Sequence, residues 1–230
     1  MRQLWRRFLE ILLPKRCFGC QEFSPVFLCT NCEGKIKIGN ALSCGLCGRR
    51  LPQPRKICHS EAPYFLAAAA DYQNEVIRNL IWQLKYHNPP LAVPVLGEIL
   101  FQYLNILSLP LKNFLIVPIP LHPDNRRWHG FNHALLLAEA MQKKLGLIMA
   151  DRFFVKNRKT KRQPETKSRE ERRENLAGAF RVEDPLIFRD RNILLVDDVF
   201  TSGATMTEAV KTLKSAGVRK IIALVVARAR

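Results

Sequence analysis

The sequence of 230 residues is short of acidic side chains and of long apolar runs. It has 20 Asp and Glu against 37 Lys and Arg, so its formal net charge is +17. A charge of this size is typical of proteins that meet nucleic acids, anionic membrane surfaces or polyphosphate substrates. No apolar run approaches the roughly 18–20 residues of a membrane span. The chain also lacks the Gly-x-x-x-x-Gly-Lys-[Ser/Thr] motif, which argues against a P-loop ATPase.

Cysteine is absent after position 58, and the start of the chain does not have the layout of a secretory leader. Its first apolar run is interrupted by Glu10, and no small-residue cleavage site follows. We therefore expect a cytoplasmic protein, and in that compartment paired cysteines favour metal binding over disulfides. Apolar residues make up 47% of the sequence, which is enough for a folded core.

Residues 1–13 combine apolar side chains at helical spacing with basic residues. Leu4 and Phe8 are among the apolar side chains on one face, and Arg2 and Arg6 lie mostly elsewhere. Two interpretations stay open. The segment is either a terminal helix docked on the protein or an amphipathic helix that makes peripheral contact with the inner face of the membrane.

Four cysteines occur at the spacing of a zinc site. Cys17-x-x-Cys20 is followed, after eight residues, by Cys29-x-x-Cys32. Each pair predicts a tight turn whose two sulfur atoms face one point, and two such turns complete a tetrahedron. A segment this small has little core of its own, so the metal would supply much of its folding free energy. The sequence therefore predicts a structural zinc ion here.

A second, less regular set of ligands follows. Cys44-x-x-Cys47 predicts another tight turn, and the next candidates are Cys58, His59 and Glu61. A regular site would have cysteine at position 61, where glutamate stands. The three cysteines with His59 or Glu61 can hold a second zinc ion. The alternative is a metal-free remnant whose cysteines pack as small apolar side chains.

From residue 62 onward, apolar runs of strand length alternate with helical patterns. This alternation predicts an α/β domain with a parallel sheet over residues 62–230, beside an N-terminal module over residues 1–61. Asn88-Pro89-Pro90 and Gly146 predict helix ends. The predicted strands are 64–72 at a sheet edge, 114–120, 178–182, 193–196 and 220–227, and the predicted helices are 75–86, 91–107, 133–145 and 205–215.

The most informative stretch is the apolar run at 193–196, which stops at two adjacent carboxylates. The run predicts a buried strand, and a loop of small and hydroxyl residues then leads into a helical pattern. Free N–H groups at the start of that helix suit a phosphate, and the carboxylates can accept hydrogen bonds from sugar hydroxyls or hold a divalent ion. A ribose 5-phosphate satisfies all of these groups. The residues predicted to bind it are Asp197, Asp198, Val199, Thr201, Ser202, Gly203, Ala204 and Thr205.

Two basic segments lie elsewhere in the α/β part. Residues 121–133 form a basic loop between a strand end and a helix start, which predicts a second anion site. Residues 156–175 hold nine Lys and Arg against four acidic residues. This second segment is open to three interpretations: a solvated loop, a mobile loop that closes over a charged substrate, or a patch for nucleic-acid phosphates.

Several motifs occur in a set order along the chain. After the cysteine pairs come Leu84-Lys85-Tyr86, Val117-Pro118-Ile119-Pro120, Gly130-Phe131-Asn132, Arg158-x-Thr160-x-x-Gln163 with Arg172-x-x-Asn175-Leu176-x-Gly178-Ala179-Phe180, and Val196-Asp197-Asp198-Val199-Phe200-Thr201-Ser202-Gly203-Ala204-Thr205. Together they resemble the ComF family of competence-associated proteins. The resemblance implies a type I phosphoribosyltransferase fold with a small zinc-ribbon-like N-terminal module. The sequence departs from the family at Asn125 and His129, where arginine is usual, and at His133, where glutamine is usual.

The resemblance also implies roles for particular residues. Asp197 and Asp198 would be the catalytic pair and would hold the ribose hydroxyls, directly or beside Mg²⁺. A flexible loop would exclude water from the reacting centre. The pyrophosphate side would contain Pro118, Pro120, Arg126 and Arg127, and the flexible loop would contain Arg158, Lys161, Arg162 and Gln163.

Two functional hypotheses follow from the resemblance and the charge. In the first, the chain is a competence factor for DNA uptake that binds phosphoribosyl pyrophosphate and single-stranded DNA and works with a ComFA-like helicase. In the second, it is an active phosphoribosyltransferase that uses Mg²⁺ to transfer a phosphoribosyl group to an unidentified amine or base. The net charge favours the first, because many Lys and Arg side chains suit nucleic-acid phosphates.

Overall fold

A central β-sheet organises the structure, a computed structural model that describes residues 15–51, 58–59, 62–122, 124, 131–158, 160 and 169–229. The strands in these residues are β1 (Ser43–Cys44), β2 (Phe65–Asp71), β3 (Phe114–Pro118), β4 (Ile148–Met149), β5 (Phe154–Lys156), β6 (Phe180–Val182), β7 (Asn192–Phe200) and β8 (Lys220–Arg228). Six of them form one sheet in the order β1-β2-β8-β7-β3-β4. Its pairs are parallel except β1 with β2, and β5 and β6 form a separate antiparallel pair. The predicted parallel sheet is confirmed.

Helices cover both faces of this sheet. The described helices are α1 (Thr30–Gly34), α2 (Glu75–Trp82), α3 (Pro89–Leu107), α4 (His133–Leu145), α5 (Arg169–Leu176), α6 (Pro185–Phe188) and α7 (Ala204–Ser215). A π-helical turn, Gln83–His87, continues α2 directly. Buried side chains of α2, α3 and α4 share one core cluster with the sheet, and those of α7 share the other.

Alternate residues of β7 pack on opposite faces of the sheet. Leu194 and Val196 belong to the cluster of α2, α3 and α4, whereas Leu195 belongs to the cluster of α7. Successive side chains of a strand point to opposite faces. The same alternation therefore directs Asp198 toward the α2 side and Asp197 toward the α7 side.

Several predicted boundaries are wrong, and the sheet explains why. β7 does not stop before the acidic pair but runs to Phe200, because β8 lies beside it and Arg228 pairs with Phe200. The segment 64–72 is not a free sheet edge, because β1 adds an antiparallel strand outside β2. The polar segment 156–175 is not all loop, since α5 begins at Arg169. The strands β1, β4 and β5 are too short for a period-two pattern and were not predicted.

One side chain both begins α2 and ties it to the cysteine module. The Asn74 Oδ1 atom accepts a hydrogen bond from the Ile77 N–H at 3.2 Å, which caps the helix. The Asn74 Nδ2 atom donates to the carbonyl oxygen of Lys35 at 2.8 Å.

Replacing Asn74 by alanine should lower the free energy of unfolding by about 1 kcal/mol through loss of the cap, with a further loss from the bond to Lys35. Asn74→Asp is the matched control, because aspartate keeps the capping oxygen and loses only the donor. Urea unfolding of both variants measures the contribution of the helix cap and that of the hydrogen bond to Lys35. Equal loss in both variants would show that the cap contributes nothing.

The cysteine module packs against the edge of the sheet. Phe18 and Leu42 lie in the same core cluster as Leu80 and Leu100 of the α/β part. The Tyr103 hydroxyl donates to a carbonyl of the module at 2.8 Å. Zinc ligands near these residues are therefore coupled to the main core.

One helix in the described part of the chain, α3, is long and apolar enough to cross a membrane by length and composition. It has 19 residues and a mean hydropathy of 1.4, which corrects the expectation that no run approaches such a length. Its buried side chains include Leu96, Leu100 and Leu104, and they pack in the core with α4 and the sheet. These contacts are those of a core helix.

Candidate functional site

The two carboxylates at the end of β7 have different partners. The Asp198 Oδ2 atom lies 3.0 Å from the Lys85 Nζ atom. Lys85 belongs to the π turn after α2, on the face toward which β7 directs Asp198. Burial lowers the pKa of Lys85, but the carboxylates of Asp198 and Asp197 together oppose this, and the pKa is raised on balance. Lys85 is therefore a charged partner for Asp198 at neutral pH.

Asp197 has a strongly raised pKa. Burial raises its pKa to about 7, the Asp198 carboxylate adds to the rise, and the ammonium groups of Lys85 and Lys156 oppose it. The Asp197 Oδ1 atom accepts from the Asp198 N–H at 2.9 Å. Lys156, in β5, donates to the Thr160 hydroxyl at 2.8 Å, and burial lowers the pKa of Lys156. Two lysines from separate elements thus oppose the rise in the pKa of Asp197 but do not cancel it.

Replacing Asp197 by asparagine should change how stability depends on pH. Asp197 has a pKa of about 7 in the fold, against about 4 in the unfolded chain. Its contribution to stability is therefore fully present below about pH 4 and is lost as the pH rises to about 7. The asparagine side chain would keep an oxygen for the Asp198 N–H and cannot ionise.

We expect Asp197→Asn to melt roughly 5 °C above wild type at about pH 8, with the gap closing toward about pH 4. Thermal unfolding of both proteins across this range measures it. A difference in melting temperature that does not change with pH would contradict the raised pKa of Asp197.

The loop after β7 carries hydroxyl groups to the start of α7. Gly203 has a φ of +77°, and a Cβ atom there would lie 2.7 Å from the Phe200 ring. Glycine suits this turn because other residues would be strained and would displace the ring. Gly203 is the N-cap residue of α7, so the helix N-terminus lies directly beside the loop, and the Ala204 N–H donates to the Ser202 hydroxyl at 3.5 Å.

The predicted ligand-binding residues fall in this strand end, loop and first helical turn. They are Asp197, Asp198, Val199, Thr201, Ser202, Gly203, Ala204 and Thr205. The arrangement offers carboxylate acceptors on one side and helix N–H groups with hydroxyls on the other. It can therefore bind a sugar hydroxyl and a phosphate of the same ligand.

The end of β3 lies beside this site. Pro118 pairs with Val196 of β7, and the Ile119 N–H donates to the Val196 carbonyl at 2.8 Å. The Asn132 Nδ2 atom donates to the Ile119 carbonyl at 3.1 Å, and its Oδ1 atom caps α4. Pro118 and the nearby Pro120 therefore lie at the same end of the sheet as the acidic pair.

Some predicted site residues fall outside the described part of the chain: Arg126, Arg127, Lys161, Arg162 and Gln163. Arg158 is described. Its Nη2 atom donates to the carbonyl oxygens of Glu174 and Asn175 at 3.2 and 2.8 Å. Arg158 therefore satisfies carbonyl groups at the end of α5, where a cation is favourable.

Two lysines of the site were not assigned from the sequence. Lys85 stands in the Leu84-Lys85-Tyr86 motif, which was the available indication of its importance. The π turn that carries it toward Asp198 breaks the 3.6-residue period and does not follow from the sequence pattern. Lys156 is one of many basic residues in its segment, and nothing in the sequence distinguishes it.

The first cysteine cluster has the dimensions of a zinc site. The Sγ atoms of Cys17, Cys20, Cys29 and Cys32 lie within 4.8 Å of one another, and those of Cys20 and Cys29 are 3.9 Å apart. Zinc–sulfur bonds of about 2.3 Å require a tetrahedral edge of about 3.8 Å, so zinc fits. Burial raises the pKa of Cys17, but backbone N–H groups of Cys29, Cys20 and Gly19 bring it down to about 6. This favours the thiolate that binds metal.

The second cluster contains Cys44, Cys47, Cys58 and His59, again within 4.8 Å of one another. The Sγ atoms of Cys47 and Cys58 are 3.6 Å apart, and the Cys44 Sγ atom lies 3.6 Å from the His59 Nδ1 atom. These distances fit a second zinc ion with His59 as its fourth ligand. Glu61, the other candidate, lies outside the described residues.

Two family models match the chain. A phosphoribosyl transferase domain covers residues 132–230, and a double zinc ribbon domain covers residues 8–60. The first match and the order of the sheet confirm the predicted phosphoribosyltransferase fold. The second match, with the two clusters, supports structural zinc in the N-terminal module.

Competence proteins of two bacteria are similar to the chain over most of their length. Competence protein F of Haemophilus influenzae is 28% identical over 230 residues, which cover 93% of this chain and 97% of that protein. Competence protein ComFC of Bacillus subtilis is 23% identical over 210 residues, which cover 83% and 79%.

A solved structure, the glutamine phosphoribosylpyrophosphate amidotransferase of Bacillus subtilis complexed with ADP and GMP, is 16% identical with a TM-score of 0.40. The match covers 61% of this chain and 30% of that enzyme's chain. The zinc-ribbon module followed by the phosphoribosyltransferase domain, together with the similarity to competence proteins along nearly the whole chain, supports the resemblance to the ComF family.

Proposed function

We propose that this protein is a ComF-type competence factor that acts in DNA uptake during natural transformation and binds a phosphorylated ribose, such as phosphoribosyl pyrophosphate. The observation that carries the ligand proposal is the end of β7, where the acidic pair lies beside Lys85 and a hydroxyl-rich loop leads into α7. The names of the relatives support the competence role.

The site has suitable groups for both the sugar and the phosphate of a sugar phosphate. Ribose hydroxyls would donate hydrogen bonds to the carboxylates of Asp197 and Asp198. Lys85 and Lys156 limit the rise in the pKa of Asp197 that burial and the Asp198 carboxylate cause, and this pKa is about 7. The 5-phosphate would accept from N–H groups and hydroxyls of the loop, because the N-terminus of α7 carries positive partial charge.

Titration calorimetry with ribose 5-phosphate and with phosphoribosyl pyrophosphate tests this binding. We expect heat from both compounds and none from unphosphorylated ribose at the same concentration, since the loop contacts need the phosphate. Gly203→Ala should weaken binding by disturbing the loop. Gly146→Ala is the matched control, because Gly146 also has a positive φ but ends α4 with no heavy atom within 4 Å of the added Cβ. No heat from either phosphate compound would contradict the proposal.

A second candidate function is phosphoribosyl transfer to an amine or base, and the same acidic pair favours it. Mg²⁺ would lie with the donor beside Asp197 and Asp198 and would neutralise charge on the departing pyrophosphate. Asp198 would then share its charge between the ion and Lys85, which lies 3.0 Å away. Pyrophosphate release with trial acceptors, with and without Mg²⁺, separates the two functions. Release that Asp198→Asn abolishes supports transfer, and binding without release supports a ligand-sensing site.

We further propose that the protein binds single-stranded DNA in the cytoplasm beside a ComFA-like helicase, with residues 1–13 in peripheral contact with the membrane. The net charge of +17 supports a polyanionic partner. Affinity for single-stranded DNA should fall steeply as salt increases, because phosphate contacts release counterions. Binding that does not depend on salt would contradict this part of the proposal.

A further inference from the structure

An exposed aromatic surface lies at the end of α2. Trp82 and Tyr86 are 51% and 62% exposed, which is unusual for such large rings. The Trp82 ring centroid lies 3.8 Å from that of His87 and 6.5 Å from that of Tyr86. Arg78 lies one helical turn before Trp82 and is also exposed. We call these four residues the aromatic surface.

The aromatic surface is held on a rigid support. The opposite face of α2 places Ile77, Leu80 and Ile81 in the main core, and Leu84 continues this face into the π turn. The helix therefore has its hydrophobic contacts without the outward rings. The two rings lie side by side on the surface, and an exposed aromatic patch of this kind is available for contact with a partner.

The chemistry of the surface fits unpaired nucleic-acid bases. Flat π faces stack on bases of any sequence, and nearby cations meet the phosphates. Arg78 lies on the surface itself, and the chain as a whole carries a net charge of +17. In a duplex the base faces are already stacked inside, so the rings suit a single strand better. We infer that the aromatic surface stacks the bases of single-stranded nucleic acid.

The inference rests on the single-stranded-DNA part of the proposed function and adds the place of binding. Lys85, Tyr86 and His87 belong to the same π turn. Lys85 reaches inward to Asp198 while Tyr86 stays exposed. A strand on the aromatic surface would therefore pass directly beside the proposed phosphoribosyl site. π turns of this kind are frequent at functional sites.

Fluorescence anisotropy with two labelled oligonucleotides of equal length tests the inference. One is oligothymidylate, and the other is its abasic counterpart, which keeps the phosphates and lacks the bases. We expect Trp82→Ala with Tyr86→Ala to weaken oligothymidylate binding at least about fivefold and to change abasic binding little. The dependence of affinity on salt should stay the same, because the phosphate contacts remain.

Control variants separate stacking from a general effect on the surface. Ile106→Ala and Leu186→Ala remove side chains that are 50% and 74% exposed elsewhere, and they should leave both affinities unchanged. Trp82→Phe with Tyr86→Phe keeps two π faces and should retain most of the oligothymidylate affinity. Because both rings are exposed, the melting temperature of the alanine variant should stay close to that of wild type.

The outcomes are distinguishable. If wild-type protein does not bind oligothymidylate, both the DNA-binding part of the proposed function and this inference are wrong. If wild type binds and the double alanine variant binds as tightly, only the inference is wrong, and the surface serves a different partner such as a protein. Equal weakening for both oligonucleotides would also overturn it, since the rings would then not act through the bases.

Discussion

Replacing Cys32 by serine should remove one zinc ion and lower the melting temperature by roughly 10 °C or more. Cys32 is 1% exposed and belongs to the main core cluster. Gly19 packs so closely that a Cβ atom there would lie 2.7 Å from the Cys32 Sγ atom. Loss of this ligand would therefore leave a polar group and an incomplete metal site inside the core, and both are costly.

Cys47→Ser is the matched control at the second cluster. Cys47 is exposed, so its loss should also remove one zinc ion but lower the melting temperature by less. Elemental analysis gives the zinc content, and thermal unfolding gives the stability of both variants. Full zinc content with unchanged stability in Cys32→Ser would contradict a structural role for the first cluster.

Replacing Asp198 by asparagine should weaken ribose 5-phosphate binding by roughly 10- to 100-fold. A hydrogen bond that involves a charged group contributes about 1.5–3 kcal/mol, and asparagine removes the charge while keeping the shape. The variant also releases Lys85 from its partner at 3.0 Å, and an unpaired ammonium beside the sugar offers donors where acceptors are needed. Calorimetry with ribose 5-phosphate measures the change.

Lys85→Met separates loss of ligand contact from loss of the ion pair. In this variant the charged Asp198 loses its partner, and the Asp198 side chain is only 14% exposed. The variant should therefore be less stable than wild type. Lys85→Met combined with Asp198→Asn removes both charges and should recover much of that stability. Additive stability effects in the double variant, or unchanged binding in Asp198→Asn, would contradict the role assigned to this pair.

Local spacing was enough to predict the first cysteine cluster and the glycine-containing loop before α7. A Cys-x-x-Cys pair brings its two sulfur atoms together within one turn, so the ligands of each pair are determined by residues three apart. The loop that ends at Gly203 depends on a positive φ that glycine readily adopts. Such features depend on neighbouring residues, and they appear in the structure where they were predicted.

Contacts between distant segments could not be predicted in this way. The strand β1 of the cysteine module covers the expected sheet edge, and β7 continues past the acidic pair because β8 lies alongside. The spacing of the cysteines left the fourth ligand of the second cluster open between His59 and Glu61. In the structure His59 lies with the three cysteines. Each outcome depends on which segments meet in space, and a hydrophobic pattern carries no information on that.

By itself the sequence determined the order of the modules, the parallel α/β class and the strand–loop–helix unit at the acidic pair, because these follow from short-range periodicity and turn chemistry. Only the tertiary structure decided which charged groups surround the two carboxylates. The alternation along β7 sends the two carboxylates to opposite faces, a π turn brings Lys85 to Asp198, and Lys156 acts on Asp197 from another strand. The charge of a buried group is decided by every group packed around it, and these come from separate parts of the chain.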